Sequence, residues 1–370
     1  MINLSDICFF SNDKIAVTDV SVKNYVSTEN MMSNKKGKIE ASKLPSIKQV
    51  MSYKAGDILL SNIRPYFKKI WFADCDGGCS NDVLVLRAKQ KYNPEFLFYL
   101  LSSDAFFDYA TATAKGTKMP RGDKKAIMQY KIPDIPHKIQ IGISGILSSL
   151  DSKILVNTKI NHHLAQIAQT LFKSWFVDFE PFGGIMPKDW RETELGEVAT
   201  LRVGGDKPAI CSPTPTAECT IPIFSNGIDN FGLYGYTDKP KITDESVTVS
   251  ARGTVGYVCL RQDPFVPIVR LITAIPNRNF ITAKYLYLYL NNIHIAGVGT
   301  TQQQLTVPDF KKYRILVPNF NVVKDFTQIL APIFEKIRHK QAENISLAKI
   351  RDAILPRLMS GELSVAELQG

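Results

Sequence analysis

The stretch IPHKIQIGISGILSSLDSKILVNTKINHHLAQIAQTLFKSWF (135–176) has a second form in the chain, VPNFNVVKDFTQILAPIFEKIRHKQAENISLAKIRDAILPRLM (317–359). A shift of 183 carries Leu147 to Leu330, Leu150 to Ile333, Ile154 to Ile337, Asn161 to Asn344, Leu164 to Leu347 and Leu171 to Ile354, without a gap over about 30 residues. With Asn157 and Ala168 in the first form and Lys340 and Arg351 in the second, these positions are spaced 3-4-3-4, the seam of a helix that packs along one partner in a coiled coil. Two matched seams suit each other, so the helices are expected to pair. Each could instead dock on its own domain and leave its asparagine exposed. In the paired reading Asn161 and Asn344 share an a-type position, where a buried amide pair costs stability but fixes register.

The segments ahead of the two helices repeat as well, at an offset of 189. GDILLSNIRPYFKKIWFAD (56–74) answers ESVTVSARGTVGYVCLRQD (245–263), with Ser61 on Ser250. NDVLVLRA (81–88) alternates as a strand does and falls near VRLITAIP (269–276). PEFLFYLLSSDAFFDYA (94–110) reads as one aromatic-rich helix opened by proline, and its partner is AKYLYLYLNN (283–292). GTKMPR (116–121) then meets GTTQQQ (299–304), back at the 183 offset of the helices. The order of motifs is kept while their residues diverge, which implies two domains of one fold with different surfaces.

At 370 residues the chain is long enough for two or three domains. Its net charge of +10 favours polyanionic partners. No uninterrupted apolar run of 18 occurs and MINLSDICFF lacks a basic leader region, so a cytoplasmic protein is expected. The six cysteines form no C-x2-C pair, and no metal site is expected. GGDKPAI (204–210) lacks the spacing and terminal hydroxyl of a phosphate loop. NPEF and DPF are poor versions of a methyltransferase motif, and the five histidines have no triad-like or HExxH company. The chain is therefore expected to catalyse nothing by itself and to need no cofactor.

With the block LFKSWFVDFEPF (171–182), the opening LGEVATL (195–201) and the ending LPRLMSGEL (355–363), the chain resembles a specificity subunit of a type I restriction–modification system over essentially its whole length. It departs from that family in carrying little sequence ahead of its first recognition domain. The resemblance implies an α+β fold with a pseudo-twofold internal repeat: two similar mixed α/β target-recognition domains separated by two long antiparallel helices forming a coiled coil. The expected domains are a first recognition domain (1–136), a central spacer helix (137–181), a second recognition domain (182–318) and a C-terminal spacer helix (319–370). Each recognition domain would read half of a split, asymmetric site in double-stranded DNA. The helices would act as a ruler and as a dock for two methyltransferase subunits, with motor-nuclease subunits joining the complex. About 30 helical residues span ~45 Å, on the order of one DNA turn plus a few base pairs.

Contact candidates follow from side-chain chemistry. In the first domain Asn62, Arg64, Tyr66, Lys68 and Lys69 surround one turn, and Lys115, Lys118 and Arg121 lie in a glycine-containing loop. Arginine and lysine can meet phosphates or guanine, and asparagine can meet adenine with two hydrogen bonds. In the second domain Arg252 stands beside Gly253, where backbone can approach DNA closely. Thr300, Thr301, Gln302, Gln303 and Gln304 are uncharged base-edge readers. Both loops could instead be plain hydrophilic turns, and Lys35, Lys36 and Lys38 read as solvated charge. Unlike loops on equivalent scaffolds imply a non-palindromic target. The competing readings are a self-contained methylase or nuclease with degenerate motifs, or a two-headed protein scaffold.

Overall fold

Strand formers fill 58–61 and 83–88, and in the computed structural model they pair antiparallel, Leu59 opposite Val85, at the centre of a four-stranded sheet. The structure describes residues 1–297 and 304–369. The chain divides into two units, Met1–Asn157 with Ala342–Gly370, and Thr158–Gln341. The division falls inside the two long helices, His137–Phe176 and Phe320–Ser360, so each unit owns a head and half of each helix. At 40 and 41 residues these helices exceed the 30 or so that the repeat alone suggests.

In the first unit the central sheet runs Cys8–Phe10, Val83–Ala88, Ile58–Ser61, Ile70–Phe72. A second sheet runs Lys14–Ala16, Gln49–Tyr53, Gly77–Cys79, Tyr25–Val26, and a short pair joins Ile2–Asn3 to Lys131–Ile132. Gly77 is obligatory by packing: a Cβ there would lie 2.3 Å from the Asn24 carbonyl and 2.5 Å from the Tyr53 hydroxyl. The aromatic stretch 94–110, expected as one helix, is two, Pro94–Leu101 and Asp104–Ala112. The break falls where Ser103 leaves the helix and its hydroxyl accepts the Phe106 N–H, a capping bond that starts the second helix.

The second unit repeats the central sheet strand for strand: Ala199–Val203, Ile272–Pro276, Ser246–Val249, Val258–Arg261. It also repeats the short pair, as Arg191–Glu194 with Arg314–Val317. The smaller sheet diverges. Both units contain one parallel pairing there, Tyr25–Val26 with Gly77–Cys79 and Ile221–Phe224 with Val266–Pro267. The first unit extends it beyond Gly77–Cys79, whereas the second extends it on the opposite side, by Leu233–Thr237.

Each unit packs its own two helix segments antiparallel. In the first, Ile143, Leu147, Leu355 and Leu358 are buried in one core with Leu97 and Phe106 of the head. Asp151 accepts hydrogen bonds from Arg351 at 2.6 Å and from the Tyr99 hydroxyl at 2.7 Å. In the second unit Phe172, Phe176 and Phe326 are buried together beside Trp175 and Tyr285. Leu171, Ile333 and Ile337 lie half-buried against that core, and Ile354 against the first unit's. Leu150, Ile154, Leu164 and Leu347 are half-buried on the helices.

One register expectation is corrected. The partner of Asn344 is Asn157, whose Nδ2 donates to Asn344 Oδ1 at 2.9 Å, and not Asn161. In an antiparallel pair, residues related by the repeat do not face each other, because one helix is read in reverse. The repeat carries the pair of Asn157 and Asn344 onto Lys340 and Asn161, so the second unit has a lysine at the matching place. Asn161 Oδ1 is buried there without a hydrogen-bond partner among the described residues.

The segment His137–Phe182 reaches a mean hydropathy of 1.3 over its most apolar window, enough by length and composition to cross a bilayer. Five of its apolar residues, Ile143, Leu147, Ala168, Phe172 and Phe176, are buried in the two cores, while Leu155, Val156 and Ile167 are exposed. Its inner face also carries the Asp151–Arg351 ion pair and the Asn157–Asn344 amide pair.

Candidate nucleic-acid interface

The first unit builds its site from two loops. Strand Ile58–Ser61 ends in a turn whose Pro65–Phe67 segment is one 3-10 helix turn, bracketed by Arg64 and Lys68 in left-handed backbone. The basic segment 114–122 returns beside it as a narrow hairpin, with Lys115 and Arg121 exchanging both backbone hydrogen bonds at 2.8 Å. Two bonds join the loops: Arg64 N–H to the Pro120 carbonyl at 2.8 Å, and Gly122 N–H to the Asn62 carbonyl at 3.0 Å. Asn62, Arg64, Lys115 and Arg121, far apart in sequence, thus share one surface.

The charges of Lys115 and Arg121 are held, not loose. Lys115 pairs with Asp123 at 2.5 Å and Arg121 with Asp82 at 3.2 Å. Asp123 is held below the ordinary carboxylate range by Lys115 first and then by the N–H groups of Ala126 and Lys125. Lys118 is exposed, with no partner among the described residues. Tyr66 is also exposed and packs on Phe67, ring centres 4.7 Å apart.

Lys68 and Lys69 do other work. Lys68 bonds Asp104 at 2.8 Å, and Lys69 donates to the Thr28 carbonyl at 2.6 Å, where burial lowers its pKa. The reading of Lys35 and Lys38 as solvated charge is corrected. Lys35 joins Lys68 on Asp104, at 3.0 Å, and the two lysines hold that carboxyl below its usual range, Lys68 most strongly. Lys38 donates to the Lys23 carbonyl at 2.7 Å and lies over the Trp71 ring. Through backbone bonds from Asn34 to Phe67 and from Lys35 to Lys68, this third loop becomes part of the same surface. A lysine-rich run looks solvated in sequence because its carboxylate, Asp104, lies about 70 residues away.

The second unit makes the same junction. Leu305 N–H donates to the Ala251 carbonyl at 3.0 Å, and the repeat offsets carry the Gly122–Asn62 bond onto these two residues. Above it, Arg252 donates to Gln304 Oε1 at 3.0 Å, where the first unit has Ile63 bridged to Arg121. Gly253 has left-handed backbone and open space on its Cβ side. Thr300, Thr301, Gln302 and Gln303 lie outside the described residues.

A second group of residues reaches this surface that sequence reasoning passed over. Asn226 accepts from the Ala251 N–H at 2.7 Å and donates to the Val269 carbonyl at 2.6 Å. Arg261 is buried, lies over the Phe224 ring 3.6 Å from its centre, and donates to Thr248 at 3.0 Å and to the Phe231 carbonyl at 2.7 Å. Its bond to Phe231 secures a turn in which Asn230 and Phe231 are both left-handed. An Asn-Gly pair such as 226–227 is a local turn signal and carries no information about which loops it ties together.

Among the described residues no cluster of three His, Cys, Asp or Glu side chains could hold a metal ion. The six cysteines are unpaired thiols, and burial pushes Cys8 and Cys79 up to about 12, so neither is a nucleophile. Two similar heads present unlike polar loops, and the described site residues have the chemistry of recognition.

A model of the type I restriction modification DNA specificity domain matches residues 1–166 and 187–349, one match for each half of the chain. The type I restriction enzyme HindI specificity subunit of Haemophilus influenzae is 28% identical over 92% of this chain and 94% of its own length. The MjaIX specificity subunit of Methanocaldococcus jannaschii is 26% identical over 74% of this chain and 70% of its own. In fold, the chain is similar to a crystal structure of a type I restriction–modification S subunit from M. genitalium, with a TM-score of 0.60, 15% identity and 97% and 95% of the two chains covered. The chain belongs to the type I restriction–modification DNA specificity family. It is a DNA sequence-recognition subunit and not itself a catalyst.

Proposed function

We propose that this chain reads a two-part, asymmetric DNA site, one half with each head, and brings methyltransferase and restriction subunits to it in the cytoplasm. The observation that carries this reading is the repeated loop junction, Gly122 to Asn62 in one unit and Leu305 to Ala251 in the other, surmounted by different side chains. Equivalent backbones aim the two loops alike, while Arg121 and Lys115 on one and Gln304 and Arg252 on the other offer different partners to base edges. In the first head the contacts are Asn62, Arg64, Tyr66, Lys115, Lys118 and Arg121. In the second they are Arg252 and the 300–304 loop. The recognition domains are 1–136 and 182–318, with the long helices as spacers.

Two methyltransferase subunits dock on those helices, and motor-nuclease subunits join through them. The helices offer apolar surface for this: Leu155, Val156 and Ile345 in one unit and Ile167 and Ile329 in the other are exposed. Contiguous exposed apolar side chains favour partner contact.

The deciding experiment maps methylated adenines across the genome with and without this gene. A split motif with one methylated adenine in each half should appear and vanish with it. A palindromic motif, or one that survives deletion of the gene, refutes the reading.

A further inference from the structure

Val269 and Arg270 are consecutive residues in left-handed backbone, with φ of 52° and 61°. For a β-branched valine that conformation is a genuine outlier, and such turns persist only where the surroundings over-determine them. Here they do. Val269 N–H donates to Gly205 and Arg270 N–H to Gly204, at 2.9 and 3.0 Å, while Gly204 N–H donates back to Leu271 at 2.8 Å. Gly204 is itself required, since a Cβ would lie 2.8 Å from the backbone of Pro267 and Ile268. Asn226 closes the arrangement by holding the Val269 carbonyl with one end of its amide and the Arg252 hairpin, at Ala251, with the other.

This scaffold presents two exposed side chains. Val269 is 53% exposed, and Arg270 is exposed without an acidic or carbonyl partner among the described residues. Arg252, Arg261 and Arg278 all have partners, so Arg270 is a cation the fold leaves free. At the corresponding place, 189 residues earlier, the first unit has Ser80 and Asn81, and neither has left-handed backbone.

We infer that the turn formed by Val269 and Arg270 is a second base-reading element of the Thr158–Gln341 unit, with Arg270 meeting a guanine edge in the major groove and Val269 the methyl of a thymine. Arginine suits guanine O6 and N7 through two parallel hydrogen bonds, and a small apolar side chain suits the thymine methyl. The inference rests on the DNA-reading function proposed above and adds a specificity determinant to it.

The test uses the chain assembled with its methyltransferase partners. It is titrated with a duplex carrying the site that the wild-type complex methylates and with duplexes changed at one base pair at a time. Arg270→Gln should weaken binding to the methylated site by about 10-fold or more and abolish discrimination at one G·C pair of one half-site. Arg270→Lys should keep the salt dependence and lose that discrimination, because an ammonium lacks the planar fork. Asn226→Ala, which releases the turn, should relax the same position. Melting of Arg270→Gln should match wild type, since the side chain supports nothing in the fold. Unchanged discrimination, or a loss equal on every duplex, overturns the reading role of Arg270. A wild-type complex with no preference among these duplexes overturns the proposed function itself.

Discussion

The two heads share a central sheet and a loop junction but place their constraint differently. In the Met1–Asn157 unit the left-handed residues are Asn34, Lys35, Arg64 and Lys68, and two lysines of that set are locked onto Asp104. In the Thr158–Gln341 unit they are Phe179, Asn230, Phe231, Val269 and Arg270, the last four held by amide and guanidinium bonds to carbonyls and by backbone bonds. One head organises its candidate loops with ion pairs, the other with neutral acceptors. The framework tolerates both because the junction bond is made by backbone alone. Side chains above it are free to diverge.

The largest expected difference between the units is in stability. Phe326→Ala removes a fully buried ring from the cluster of Phe172, Trp175 and Phe176, and should cost about 3–5 kcal/mol. The repeat carries Phe326 onto Ile143, also buried, where Ile143→Ala should cost about 2–4 kcal/mol. Denaturant unfolding followed by tryptophan fluorescence checks both, because Trp71 reports on the first unit and Trp175 and Trp190 on the second. A single shared transition shifted equally by both variants would show that the units unfold together.

Smaller effects are expected at the helix seam. Asn157→Leu removes the donor to Asn344 Oδ1 at a half-buried site and should cost about 1–3 kcal/mol, whereas the double change to leucine should be near neutral or stabilising. Asn161→Leu, which breaks no amide pair, should not destabilise the protein. A larger loss for Asn161→Leu than for Asn157→Leu in thermal melts would contradict the observed register.

Comparable energies, with a different signature, are expected at the proposed DNA surface. Arg121→Ala should weaken duplex binding and lower the salt slope by about one. Gln304→Ala should leave the slope unchanged and relax preference at one base pair of the other half-site. Matching salt behaviour in titrations of the two variants would erase the proposed contrast between a charged and a neutral reader.

The smallest effect concerns pH. Lys68 and Lys35 hold Asp104 below its ordinary value of 3.8, so their contribution is present above that value and fades as pH falls through the lowered one. Since the carboxyl is 66% exposed, solvent screening limits the contribution to below ~1 kcal/mol. Acid titration of stability should show a slightly smaller loss in Asp104→Asn than in the unaltered chain.

Periodicity and repetition were readable from residues alone, because a seam every three or four residues and a motif order kept at fixed offsets are properties of the line of sequence. They established the duplicated heads, the paired helices and the two loop regions that carry the candidate contacts. What faces what was decided only by folding back. An antiparallel partner reverses the reading direction, so Asn344 meets Asn157 and not its repeat-mate Asn161. Asp104 takes up two lysines that looked solvated, and Asn226 brings Val269 and Arg270 to a surface no local pattern connects them with. Hydrogen bonds and ion pairs act over about 3 Å of space regardless of separation along the chain. Their partners are therefore set by topology, while the spacing of apolar residues is set within a few turns.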